Sequence, residues 1–105
     1  NNLLMFLESK DYIQFDSACA ATSKELMAVY AVWCDDNGFA PLKSRTVSDF
    51  LIANAHKYHI EHTNNIHSVD GRRVWGFKGI RLMIDAVVRS RNGFQRIYDK
   101  NDPFA

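Results

Sequence analysis

The sequence predicts an α+β domain in which helices come first and a β-hairpin follows. Three observations carry that reading. Thr22-Ser23-Lys24-Glu25 is a capping box that opens a run with Leu26, Val29, Tyr30 and Trp33 at helical spacing. A second stripe, made of Val47, Phe50, Leu51, Asn54, Ala55 and Tyr58, follows after a very short joint. Asp70-Gly71 then marks a tight turn between two strand-like segments. Helix, short turn, helix and hairpin is the order of a winged helix-turn-helix.

Taken in order, residues 2–8 read as a short helix with Leu3, Phe6 and Leu7 on one side. Residues 9–21 read as a connector in which 12–15 form a brief strand. The capped helix stops at Asn37-Gly38, where Gly38 supplies the left-handed cap and Pro41 prevents continuation. Ser44 is the expected N-cap of the next helix. The face opposite its stripe carries Arg45, Ser48, Asp49, Ile52 and His56, with Lys43 just before it and Lys57 near its end.

Residues 59–69 (HIEHTNNIHSV) are rich in β-branched and polar types and lead into the turn. A two-residue turn pairs Val69 with Arg72, Ser68 with Arg73 and Ile66 with Trp75. That register puts Ile60, Ile66, Trp75 and Phe77 on the core face and Val74 and Lys78 on the other. Arg72 and Arg73 fall at the tip. Trp75 and Phe77 are assigned to core packing over base stacking. Beyond Leu82, Met83, Val87 and Val88 recur at helical spacing with Gly93 as a stop, and the last twelve residues give no firm prediction. The expected organisation is a domain over 1–82 with a C-terminal extension over 83–105.

Composition narrows the classes. With 47% hydrophobic and 24% charged residues over 105 positions, the chain is ordinary globular material for one modest core. No run approaches the roughly 18 apolar residues of a membrane span. The chain opens at Asn1-Asn2 with no signal peptide or initiator Met and reads as a piece of a longer, cytoplasmic polypeptide. Cys19 and Cys34 lack a CxxC spacing and read as small buried hydrophobes. His56, His59, His62 and His67 straddle the expected helix–strand boundary, which points their rings apart, so they read as polar surface and no metal is expected. Asp35-Asp36 reads as the acidic end of a solvated helix, and no catalytic constellation stands out.

The net charge of +1 hides a split. Residues 1–41 carry two bases against six acids, whereas residues 42–105 carry eleven bases against six acids. Such asymmetry points the second part toward an anionic partner. Phosphates need cationic or N–H donors, and a helix N-terminus adds its dipole. The expected DNA contacts are therefore Lys43, Ser44, Arg45 and Ser48 at the second helix, Lys57 near its end, and Arg72, Arg73 and Lys78 on the hairpin.

The segment VYAVWCDDNGFAPLKSRTVSDFL, followed by DGRRVWGFKGIRL, resembles the C-terminal domain of phage and plasmid primase–helicases of the poxvirus-type superfamily III group. Tyr30, Trp33, Cys34, Asn37, Gly38, Pro41, Leu42, Ser44, Phe50 and Leu51 carry the helical part of the likeness. Arg73, Trp75, Lys78, Gly79, Ile80 and Leu82 carry the strand, and LLMFLES resembles the family's Phe-Leu-Glu helix, so the match spans about residues 3–82. The stretch from His59 to His67 is longer and richer in His and Asn than the pattern, and residues 83–105 have no counterpart in it.

The resemblance implies a winged-helix domain that follows a ring helicase, engages DNA as a duplex or fork, and meets the rest of its parent protein or a replication initiator. No GxxxxGK phosphate loop is present, so the fragment is expected to bind and not to catalyse, without a cofactor. Two rivals share the layout. One is a protein-interaction winged helix whose surface is the acidic first helices. The other is the DNA-binding domain of a transcriptional regulator, for which residues 83–98 offer a dimer helix.

Overall fold

The computed structural model describes residues 2–92. It is mixed α+β: α1 (Asn2–Leu7), β1 (Ile13–Thr22), α2 (Ser23–Asn37), α3 (Ser44–Ala53), α4 (Ala55–Tyr58), β2 (Glu61–His67), β3 (Arg73–Leu82) and α5 (Ile84–Arg91). The strands form one antiparallel sheet in the order β1-β3-β2. No helix among the described residues is long and apolar enough to cross a membrane.

β1 is longer than the brief strand expected from the sequence. It pairs with β3 from Ile13↔Leu82 to Phe15↔Ile80 and again from Ala20↔Lys78 to Thr22↔Gly76. Residues 16–19 bow out between the two stretches, opposite Gly79. That bulge, and the small residues Ser17-Ala18-Cys19-Ala20-Ala21, erase the alternation that marks a strand in sequence. Gly79 sits at φ 94°, and a Cβ there would come within 2.8 Å of the His59 carbonyl oxygen. The bulge therefore depends on glycine twice over.

α2 follows its sequence signals closely. Thr22 Oγ1 accepts the Glu25 N–H at 3.0 Å, and Gly38 closes α2 in the left-handed region at φ 76°. Leu26, Val29, Tyr30 and Trp33 are buried with Leu3, Phe6, Val47, Leu51 and Phe77 in one cluster. Tyr30 is fully buried but keeps its hydroxyl bonded. It donates to Asn2 Oδ1 at 2.7 Å and accepts the Leu42 N–H at 3.0 Å. One side chain thus ties α1 to the joint that delivers the chain into α3.

The C-terminal helix shares this core. Ala86 and Val87 of α5 belong to the same buried cluster. Arg89 makes a two-pronged contact with Asp36 of α2, both N···O distances being 2.6 Å, and Tyr12 donates to the same carboxylate at 2.6 Å. Arg91 adds a contact to Glu25 at 2.7 Å. Asp36 is therefore a clamp residue and not part of a solvated acidic helix end. Its partner lies 53 positions away, which the local sequence cannot reveal. The inner face of α5 is taken by α2 of its own chain. The stop expected at Gly93 lies outside the described residues.

Candidate nucleic-acid interface

Exposed cations stand at two places in the chain. The first stands where α3 begins. Lys43, not Ser44, is the N-cap: it is extended at φ −64° and ψ 148°, and Ser44 is already the first helical residue. Among the described residues no side chain caps this end, and Lys43, Ser44 and Arg45 there are all exposed. Ser48, one turn on, is half-buried.

The helix does not run through to Tyr58 as its stripe suggests. Asn54 breaks it at φ −109° and ψ 13°, and its side-chain amide turns back to the Phe50 carbonyl at 2.9 Å. A side-chain amide that satisfies its own helix competes with the backbone ladder there. Lys57 follows on the short α4, exposed, with its ammonium 5.5 Å from the ring centre of Tyr58. Tyr58 in turn stacks on Phe15 of β1 at 4.9 Å.

The second set is the β2–β3 hairpin. Its loop has three residues, Val69, Asp70 and Gly71, not two. Gly71 donates its N–H to the Ser68 carbonyl at 2.9 Å and takes φ 85°, while Ser68 donates to the Arg72 carbonyl at 2.8 Å. A turn closed by a left-handed glycine is the usual three-residue solution. The extra residue shifts the register by one, so Ile66 faces Val74 and His67 faces Arg73. Ile60, Ile66 and Phe77 are buried as expected. Trp75 is not a core residue: it remains 55% exposed.

Asp70 organises the tip. Its carboxylate accepts from the Ser68 hydroxyl, from the Arg72 N–H at 3.1 Å and from Arg72 Nε at 2.9 Å. Those bonds, the Ser68 hydroxyl foremost, bring its pKa down to about 2. Arg72 is thus exposed but already shares an acid. Arg45 meets Asp49 at 3.8 Å with both side chains largely in solvent. Ion pairs this exposed contribute little and exchange readily for phosphate.

Lys43, Lys57, Arg73 and Lys78 have no acidic partner within 4.0 Å among the described residues. No family model, curated protein or solved structure matches the chain. Lys78 stands apart from the tip. It lies on the central strand opposite Ala20 and Glu61, five residues or about 16 Å along β3 from Arg73. The described residues hold no group of three or more His, Cys, Asp or Glu arranged to bind a metal.

The residues that sequence reasoning missed lie beside Trp75. Its ring stacks on His62 at 4.7 Å and 24°, and His62 packs on Phe77 at 4.8 Å. Opposite Trp75, Asn64 and Asn65 bow out of β2 between the Thr63↔Gly76 and Ile66↔Val74 pairs. The signal available in the sequence was the loop itself. SVDGR reads equally well as a three-residue turn, and that count turns Ile66 away from Trp75.

Proposed function

We propose that this chain is a DNA-binding accessory domain of winged-helix type, belonging to a replicative primase–helicase of a phage or plasmid. α3 would be the element presented to the major groove and the β2–β3 hairpin the wing. The element order from α1 to β3 and the sheet order β1-β3-β2 support that reading, as does the likeness of residues 3–82 to such domains. The role proposed is binding, with catalysis left to a parent protein.

One observation carries the proposal: how the charges are used. The acids Glu25 and Asp36 in the first half are engaged by Arg91 and Arg89 of α5. Among the described residues, Lys43, Lys57 and Arg73 are exposed with no acidic group within 4.0 Å, and Arg45 and Arg72 pair with solvent-exposed acids. A surface kept basic in this way suits a polyanion.

The test is titration of labelled duplex at two salt concentrations. Affinity should fall steeply with salt, and Arg72→Ala/Arg73→Ala should weaken binding and flatten the slope by about two. Binding that ignores both salt and the double substitution would take the hairpin out of the interface and favour a protein partner.

A further inference from the structure

An exposed tryptophan on a strand needs an explanation, because the indole is among the largest apolar groups a chain can bury. Trp75 is supported from behind. β3 is the central strand, and the ring is backed by His62, which is itself backed by buried Phe77. The hairpin then opens a cleft at this point, lined by Asn64, Asn65, Arg73, Val74 and Trp75. The cleft exists because β2 places two residues where β3 places one, a device that re-aims side chains.

The three chemistries in this cleft belong together. A supported indole face stacks on any base. Two exposed asparagines offer both donors and acceptors, as a base edge requires. A guanidinium with no acidic neighbour among the described residues suits the adjoining phosphate. A base inside a duplex cannot present its face to an indole, whereas an unpaired one can.

The geometry points to the Trp75 cleft as a seat for one unpaired nucleobase of a single strand, with Trp75 stacking on the base, Asn64 and Asn65 meeting its edge, and Arg73 holding its phosphate. This rests on the reading that the hairpin meets nucleic acid, and adds that it holds a strand with bases exposed. A fork offers such a strand next to a duplex, so one domain would contact both.

The experiment uses the whole chain and three labelled probes of equal length: oligothymidylate, an abasic strand with the same phosphates, and a duplex. Oligothymidylate should bind about 5- to 150-fold more tightly than the abasic strand, the range that stacking of one base supplies. It should also quench the emission of Trp75, with buried Trp33 as the constant background. Trp75→Ala should remove that preference and the quenching while changing duplex affinity less than about twofold. Trp75→Phe should keep part of the preference, since a ring still stands on His62.

If the duplex binds but the wild-type chain holds oligothymidylate and the abasic strand equally, the base seat is wrong and the broader DNA reading survives. If none of the three probes binds, both are wrong. A Trp75→Ala protein that melts like wild type and still prefers bases over abasic sugar also overturns the assignment.

Discussion

Arg89→Ala tests how the domain is held together. The guanidinium donates two bonds of 2.6 Å to Asp36, and the two side chains are only 23% and 18% exposed. Hydrogen bonds to charged groups contribute about 1.5–3 kcal/mol each in favourable cases. Two terms reduce the sum here. Among the described residues Arg89 Nε is buried without a partner, and the pair retains some solvent. Removing the arginine also takes two donors from Asp36, which keeps the Tyr12 hydroxyl among its partners, and loosens α5, whose Ala86 and Val87 lie in the core. The balance is a loss of about 2–3 kcal/mol, or roughly 10–20 °C in Tm for a domain of this size.

Urea and thermal melts measure that loss directly. Arg91→Ala is the internal comparison: its pair with Glu25 is half in solvent and should contribute no more than about 1 kcal/mol. Arg89→Lys should fall between the two, because a lysine keeps the charge but not the two-pronged fit. A loss below about 0.5 kcal/mol for Arg89→Ala, or one no larger than that for Arg91→Ala, would refute the clamp.

Three further outcomes follow from the geometry. A methyl group at Gly76 would run into the Ala21 carbonyl oxygen across the sheet, so Gly76→Ala should cost at least about 2 kcal/mol; an unchanged urea midpoint would contradict this. Burial raises the pKa of Cys34 above 9.0 and of Tyr12 and Tyr30 above 10.0, so the fold favours their neutral forms. The unfolded chain then releases these protons first, and the stability they supply below pH 9 is lost as pH rises through the raised values; a urea midpoint that climbs above pH 9 would be the wrong sign. Asp70→Asn keeps a side-chain oxygen for the Arg72 N–H and removes the carboxylate that competes for the Arg72 guanidinium, so duplex affinity should rise. An unaltered or lower affinity would mean that Arg72 does not meet phosphate.

Local signals were legible and distant ones were not. The Thr22 cap, the Gly38 stop and the Leu26-Val29-Tyr30-Trp33 stripe act within a turn or two of helix, and the structure follows them. β1 was mostly hidden because its bulge at residues 16–19 breaks the period on which strand recognition relies. The hairpin was visible but its register was not. Asp70-Gly71 fits a loop of two residues or three, and the choice decides whether Ile66 faces Trp75 or Val74. Lys43, Arg45, Arg72 and Arg73 are exposed, as charged side chains at a helix start and a turn are expected to be. Their partners Asp49 and Asp70, and the use of Asp36 by Arg89, emerged only from three-dimensional contacts.

The most direct examination of the DNA assignment is a nitrogen–proton correlation spectrum of the labelled chain, recorded as unlabelled duplex is added. Amide shifts should move in two groups, at 43–48 around the start of α3 and at 68–75 around the hairpin, at the same duplex concentration. Shifts confined to α1 or α5, or movement of only one of the two groups, would contradict a single DNA-facing surface.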